Sequence, residues 1–318
     1  MTRHRHRTAA IASIVIGIAL GMAPVAFRMF ERAPHGGEMI TDFEPYMNSA
    51  TIEEFRGYLA TIDVGLVDLA VIRDDMLNAD AAGATTFDTT YSSVAALRDT
   101  WPTIDADMTD LLDRMDRNLD NYRAVSALPP FAAFPWFFLV PGVMIAAVGV
   151  VMLRSSLSRR PNRAGWWALA ALGAGLALAP VAFQMFTRAP LGGEMIDDFT
   201  PMMTVERVRD VQSHFITLGS GESQLRAALV PAATAAGVDT PMRITEFSTA
   251  WPSMLQDFNP MIATMRDNVD NFDDVAALPP FALFPWFFVV PGLIVVALAA
   301  SALRRTDEPA PMPGGSQP

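Results

Sequence analysis

The chain has 318 residues, of which 51% are hydrophobic and 18% are charged, and its formal net charge is −11. A chain this apolar that also carries many charges is expected to group its apolar residues into membrane-spanning segments. It contains no cysteine, and all 23 basic residues are arginine. Disulfides, thiolate metal sites, a Walker A loop and a Schiff-base lysine are therefore excluded. Arginine-only, alanine-rich usage is typical of a high-GC bacterial genome.

Four apolar windows without an ionisable residue are long enough to cross a bilayer, which takes about 20 residues. They are Ala9–Phe27, Phe131–Leu153, Gly165–Phe183 and Phe281–Leu303. The first resembles a secretory signal peptide, but Pro24 would directly follow the cleavage site. The same Ala-Pro-Val-Ala-Phe sequence recurs inside the chain at Ala179–Phe183, so we interpret the first window as an anchor.

The orientation of the spans follows from the placement of arginine. Arginines occupy the amino-terminal tail (1–8), the short loop 154–164 and the start of the tail 304–318, which we expect to be disordered. The long segments 28–130 and 184–280 are acidic, with 19 acids against 7 arginines in 31–128 and 13 against 6 in 187–278. We therefore expect both termini in the cytoplasm and both long segments outside the cytoplasmic membrane.

The chain contains an internal repeat. Residues 23–47 align without gaps on 179–203 with 19 of 25 identical, and residues 118–142 align on 268–292 with 18 of 25 identical. The repeat units are 9–153 and 165–303, and both start and end on the same side. Such copies are expected to be related by a pseudo-twofold axis along the membrane normal. Gly17 and Gly21, matched by Gly173 and Ala177, predict that the first and third spans meet at this axis.

Both long segments have helical periodicity. Thr51 and Glu54 form a capping-box pattern before an apolar stripe at helical spacing, and further helices are predicted over Thr90–Thr100 and from Pro102 onward. The second copy predicts helices near Val205–Leu218, Glu222–Ala236, Ile244–Ala250 and Pro252–Ala277. The predicted fold is an all-α integral membrane protein with four transmembrane helices and two homologous helical extracytoplasmic domains, each a small bundle.

One group of polar residues repeats in both copies and is the strongest candidate for a ligand or cation site. It comprises Glu38, Asp42, Asn118, Asp120 and Asn121, repeated as Glu194, Asp198, Asn268, Asp270 and Asn271. We expect the residues of one copy to approach each other, and their oxygens suit calcium or magnesium. The alternative is that Arg32 and Arg188 pair with one acid each while the others cap helices. The Gly36-Gly37 pair is predicted to break the helix after the first span.

The outer halves of the second and fourth spans are rich in proline and aromatic residues. Phe134, Trp136, Phe137, Phe284, Trp286 and Phe287 are the candidate lipid-contact residues. Prolines free backbone carbonyls, which a groove or a closely packed neighbour must satisfy. Two interpretations remain open at this point: a pore or lipid-accessible groove, or a kinked and well-packed helix pair.

No pattern of catalytic residues is present, and no cofactor is predicted. The 19 methionines fall on apolar stripes without partnering histidines and are interpreted as core or adaptable surface. The cytoplasmic parts are too short for an ATPase or output domain. We expect a non-enzymatic scaffold or accessory module of a bacterial envelope complex. The alternatives are binding or transport of lipid or another apolar molecule, and an extracytoplasmic sensor. The expected partners are membrane lipid, another membrane or envelope protein, or a second copy, and not nucleic acid.

Overall fold

The structure, a computed structural model, describes residues 2–79, 84–157 and 162–306, and within these ranges it is helical and without strands. Residues 80–83, Arg159 and Arg160 of the basic loop, and the tail 307–318 lie outside the described residues. The helices are α1 (Thr2–Ala26), α2 (Met29–Phe43), α3 (Ser49–Ala79), α4 (Ala84–Thr90), α5 (Ser92–Arg117), α6 (Leu119–Ser126), α7 (Phe134–Leu157), α8 (Arg163–Ala182), α9 (Met185–Phe199), α10 (Val205–Gln224), α11 (Val230–Ala235), α12 (Met242–Asp267), α13 (Val269–Ala276) and α14 (Phe284–Thr306). Short 3₁₀ turns precede α7 and α14, and the π-helical turn Leu225–Leu229 joins α10 to α11.

Within the described residues, four segments are long and apolar enough to cross a membrane, which supports the prediction of a membrane protein. They are His6–Ala26, Phe131–Leu157, Arg163–Ala182 and Phe281–Arg304, and they match the four predicted windows to within a few residues at each end. The residues form two compact units. The first, here the span unit, holds the described residues within 1–38, 124–194 and 274–318; the second, here the bundle unit, holds those within 39–123 and 195–273.

The helix breaks expected at the glycine pairs lie elsewhere. Gly36 is inside α2, where a Cβ would lie 2.9 Å from the ring of Phe131, so this glycine allows close packing rather than a turn. The break falls at Arg28, and at Gln184 in the second copy, each with a φ of 54°. A left-handed residue of this kind ends a helix by directing the chain away from its axis. The prediction of a glycine turn was therefore wrong.

The helix starts and ends in the bundle unit also differ from the prediction. The side chain of Asn48, not Thr51, caps α3 by accepting a hydrogen bond from the Thr51 amide at 2.9 Å. The two helices expected on either side of Pro102 are one helix, α5, and the same holds for α12, which contains Pro252. In both helices buried apolar residues continue across the proline, so tertiary burial outweighs the one lost hydrogen bond.

The bundle unit has one hydrophobic core shared by the two inter-span segments, in place of two separate bundles. Its main helix pairs are α3 with α12 and α5 with α10, and each pair joins one copy to the other. Phe55 on α3 stacks on Phe258 of α12 with ring centroids 4.3 Å apart. Since each segment's apolar stripe is covered by the other segment, neither has a complete core by itself.

In the span unit the closest helix pairs lie within each copy. α1 packs along α7, and α8 packs along α14. A Cβ on Gly17 would lie 2.5 Å from the backbone nitrogen of Ala146 in α7, and one on Gly173 would lie 2.7 Å from the carbonyl oxygen of Gly292 in α14. The expectation that these glycines join the first and third spans was therefore wrong. They allow the two spans of one copy to approach each other at backbone distance.

Aromatic rings join the two copies within the span unit, and each contacts its own counterpart at an offset of 150 residues. The centroids are 4.4 Å apart for Phe138 and Phe288, 6.1 Å for Phe134 and Phe284, and 6.3 Å for Phe131 and Phe281. Edge-to-face and tilted rings at these separations attract one another beyond their burial. Contacts between counterparts are the pattern that a twofold relation between the copies produces.

The Gly17 contact leads to a test. We expect Gly17→Leu to force α1 and α7 apart, because the new side chain meets backbone atoms, and to lower stability by about 1–3 kcal/mol. Unfolding in detergent, followed by helical circular dichroism, measures the loss. Gly175→Leu is the matched control, since a Cβ at Gly175 meets nothing within 4 Å. Equal stability of the two variants would contradict backbone contact between these spans.

Candidate functional site: paired polar clusters and apolar grooves

The first polar cluster surrounds Asp198 in the bundle unit. Its Oδ2 accepts a hydrogen bond from Asn118 Nδ2 at 2.6 Å, and its Oδ1 lies 3.0 Å from an Nη1 of Arg114 and 3.3 Å from an Nη2 of Arg117. Asn118 is only 2% exposed, and its Oδ1 accepts from Asn121 Nδ2 at 3.0 Å. This buried asparagine therefore has partners for both its amide nitrogen and its oxygen.

The second cluster surrounds Asp42 and repeats this arrangement without the arginines. Asn268 Nδ2 donates to Asp42 Oδ2 and to the carbonyl of Thr264, both at 3.0 Å. Asn271 donates in turn to Asn268 Oδ1 at 3.0 Å, and Asn268 is 1% exposed. Thr264 and Asp267 stand where the first copy has Arg114 and Arg117, so only the Asp198 carboxylate is neutralised by a neighbouring positive charge.

Two features of these clusters differ from the prediction. Each aspartate bonds to the asparagine of the other copy, whereas we expected contacts within one copy. The four other predicted residues, Glu38, Glu194, Asp120 and Asp270, are exposed side chains outside both clusters, and Asp120 pairs with Arg123 at 3.1 Å. Among the described residues, no group of three or more histidines and acids is placed to hold a metal ion. The clusters connect helices of the two copies.

Arg32 and Arg188 do not pair with the predicted acids. Arg32 donates to the carbonyl of Ala277 at 3.1 Å, and Arg188 donates to the carbonyl of Ala127 at 2.9 Å. Each arginine therefore binds the end of a helix of the other copy, directly before a Leu-Pro-Pro sequence. A side chain reaching the last carbonyls of a helix is a recognised way of satisfying them.

A further polar contact between the copies was not predicted. Asp107 on α5 lies 2.8 Å from Arg207 and 2.8 Å from Nε2 of His214, both on α10. The hydrogen bond from Arg207, and that from His214, hold the pKa of Asp107 below its ordinary value against the opposing effect of burial. In the alignment of the copies, Asp257 corresponds to Asp107 and Tyr58 corresponds to His214. The Tyr58 hydroxyl donates to the Asp257 carboxylate at 2.6 Å, and this hydrogen bond is the main cause of the raised pKa of Tyr58. The sequence did contain a signal for this contact: both copies have a polar residue at the position of Asp107 and at the position of His214.

The six predicted lipid-contact residues fall into three pairs of counterparts within the span unit. Trp136 and Trp286 are 53% and 51% exposed. Phe134 and Phe284 are buried against each other. Phe137 and Phe287 are partly buried. Phe137 lines one apolar groove, and Phe287 lines the other together with Phe284.

The two grooves lie between spans of different copies. The first, of about 260 Å³, is formed mainly by α1 and α14, and the second, of about 570 Å³, is formed by α8 and α7. Ten of the twelve residues that line the first have their aligned counterparts in the second. Among the residues that the structure describes, no ionisable side chain lines either groove, and Pro291 and Pro141 occupy matching positions in their walls. Apolar grooves and closely packed helix pairs are therefore both present beside these proline-containing helices.

No protein-family model, curated protein or solved structure matches this chain. Its function is therefore argued from its own geometry.

Asn118 and Asp120 allow the clusters to be tested with neighbouring residues. We expect Asn118→Ala to lower stability by about 1–3 kcal/mol, because the buried hydrogen-bonding groups around it lose their partner. Asp120→Ala, at a side chain 92% exposed, should change stability by less than about 0.5 kcal/mol. Denaturant unfolding followed by circular dichroism measures both. If Asp120→Ala lowered stability more than Asn118→Ala did, the conclusion that Asn118 joins the two copies through Asp198 would be wrong.

Proposed function

We propose that this chain is a non-enzymatic multi-pass membrane protein that binds lipid or another apolar molecule in the two grooves between its spans. The observation that carries the proposal is the pairing of the grooves: ten aligned positions line an apolar concavity in both places. Ligand sites are typically concave and mainly apolar. Each groove lies between candidate spans that have no ionisable residue in their apolar windows. Such a groove suits an acyl chain better than an ion or a polar substrate.

The wider arrangement is part of the same proposal. The chain is a tandem duplication, and a pseudo-twofold axis along the membrane normal relates its two copies. Its arginine-bearing ends and loop face the cytoplasm, and its acidic segments lie outside the cytoplasmic membrane of a bacterium. The contacts between aromatic counterparts support the twofold relation, and the charge distribution supports the orientation.

Filling the grooves tests the proposal. The double variant Ala19→Leu, Gly175→Leu adds bulk at counterpart positions that line the two grooves, and a Cβ at Gly175 meets nothing within 4 Å. We expect wild type to keep tightly bound lipid through detergent purification and the variant to lose more than half of it, as measured by native mass spectrometry. Val181→Leu, at a side chain 62% exposed, is the control and should retain wild-type lipid. Wild type without bound lipid, or a filled variant that retains it fully, would refute the proposal.

A second function, that of a scaffold or accessory module, is favoured by a different observation. On α3 of the bundle unit, outside the candidate spans, Val67 and Val71 are 55% and 48% exposed and lie one helical turn apart. Neighbouring exposed apolar side chains on one helix face favour a protein partner or a second copy.

Crosslinking in intact cells tests this second function. We expect a defined partner, or a dimer of this chain, to be captured by wild type and to fall at least fivefold in a Val67→Glu, Val71→Glu variant. Val205→Glu changes an equally exposed valine elsewhere on the bundle unit and serves as the control. Capture that is unaffected by the double change, or the absence of any partner and oligomer, would rule this role out.

A further inference from the structure

In the bundle unit, α3 and α10 are counterparts that pack into the core in the same way. A Cβ on Gly65 of α3 would lie 3.2 Å from the Cβ of Phe247. A Cβ on its counterpart Gly221 of α10 would lie 2.6 Å from the Cβ of Leu97, which is the counterpart of Phe247. The polar contacts of Asp107 and of its counterpart are reciprocal in the same manner. A twofold relation produces such contacts, and it places the uncovered faces of α3 and α10 on opposite sides of the bundle unit.

The uncovered face of α3 is an apolar ridge with an acid at one end. Its positions follow one another at alternating steps of four and three residues, which is the spacing of a coiled-coil seam. Val67 and Val71 are mostly exposed, Val64 is half-buried beside them, and the carboxylate of Glu53 lies near the start of the helix. The α3 seam, as the term is used below, comprises Glu53, Gly57, Ala60, Val64, Val67 and Val71.

The counterpart positions on α10, and on the π-helical turn that follows it, form a groove instead of a ridge. These positions are all exposed. Four of them line an open groove of about 630 Å³, and no charged side chain is among the described residues that line it. Gly219 forms part of the groove wall, next to the ring of Trp251. The α10 seam comprises Arg209, Ser213, Ile216, Ser220, Ser223 and Ala227.

The two seams are complementary in side-chain size. The three valines of the α3 seam correspond in order to two serines and an alanine of the α10 seam. The relation is reversed at Ile216, which is 70% exposed and corresponds to the small Ala60. In a parallel helix pair, residues at the same level of the seam face each other. A large side chain of one seam would therefore meet a small side chain of the other at four successive levels.

The charges of the two seams are complementary as well. Glu53 and Arg209 are counterparts, both are exposed, and neither has an ion pair among the described residues. An α3 seam placed beside an α10 seam of a second chain brings these opposite charges to the same level. Two α3 seams would oppose Glu53 to Glu53, and two α10 seams would oppose Arg209 to Arg209. Like charges in contact disfavour both symmetric pairings, so the charges select the mixed one.

We infer that copies of this chain associate head to tail, with the α3 seam of one chain docked on the α10 seam of the next. The inference deepens the second proposed function, on which it rests, by naming the partner as a second copy and the surface that receives Val67 and Val71. Because the two seams lie on opposite sides of the bundle unit, a docked pair still has one free seam at each end. Such a heterologous contact does not close at two chains and produces a row or a ring.

Cysteine crosslinking tests the contact, since the chain has no cysteine of its own. Full-length Val67→Cys and Ser223→Cys chains with different tags are expressed together in bacterial membranes and oxidised with copper phenanthroline. We expect disulfide-linked dimers of the mixed pair to exceed those of either variant alone at least about fivefold, because a disulfide requires Cβ atoms within about 4.5 Å. Asp120→Cys, at a side chain 92% exposed, replaces Val67→Cys in the control for random collision.

The alternatives give different patterns of crosslinking. Disulfides formed by Val67→Cys alone would show two α3 seams in contact and would overturn the head-to-tail inference, while the second proposed function would stand. A mixed pair without disulfides would also overturn it; capture of another protein through Val67 and Val71 would then still support the second function. A chain carrying both cysteines should form trimers and larger species, and a product that stops at the dimer would contradict the open arrangement.

Charge reversal tests the level at which the seams meet. We expect Arg209→Glu in the Ser223→Cys chain to lower the yield of mixed dimer about twofold to fourfold, in line with the small contribution of an exposed ion pair. Glu53→Arg in the Val67→Cys chain should restore the yield. All of these positions are exposed, so circular dichroism should show wild-type folding for each variant. A yield that Arg209→Glu leaves unchanged, or that Glu53→Arg does not restore, would overturn the proposal.

Discussion

The carbonyl groups of Ala127 and Ala277, at the ends of two helices, need hydrogen-bond donors, and each receives one from the other copy. Each precedes a Leu-Pro-Pro sequence, and because proline has no N–H, two of the residues that would normally cap the helix cannot donate. The donor is instead an arginine of the other copy, Arg188 or Arg32. Arginine suits this position since it stays charged and has five N–H groups, so it can bind a carbonyl and still contact other groups. Neither copy supplies this donor to itself, so these two hydrogen bonds join the copies.

The same exchange between copies recurs in the bundle unit. Asp42 bonds to Asn268, Asp198 bonds to Asn118, and α3 and α5 cover their apolar stripes with α12 and α10. The span unit combines both kinds of contact: glycines hold the two spans of one copy together, and aromatic counterparts join one copy to the other. Small residues and rings perform different tasks here, since glycine permits backbone approach while the rings fill the wider space between copies.

The four spans, the all-helical fold and most buried positions could be predicted from the sequence because each depends on composition or period, as with the buried stripe that includes Phe55 and Met108 on α3 and α5. The positions of breaks and partners could not. Pro102 is typical of a helix start, but the helix continues across it because buried residues on both sides stabilise it. The neighbouring sequence does not indicate that these residues are buried. Asp42 and Asp198 were expected to meet residues of their own copy, yet their partners, Asn268 and Asn118, lie in the other copy. An alignment of one copy on the other cannot distinguish a contact within a copy from one between copies.

The shared core has a consequence for how the protein is made. Asp42 and its partner Asn268 are 226 residues apart in the chain, and α3 packs against α12, which ends at Asp267. During synthesis the first inter-span segment therefore emerges long before the helices that cover it. Contacts of such large sequence separation slow folding, and an uncovered apolar surface is prone to aggregation meanwhile. Until the second copy is complete, the apolar face of the first that includes Phe55 stays uncovered.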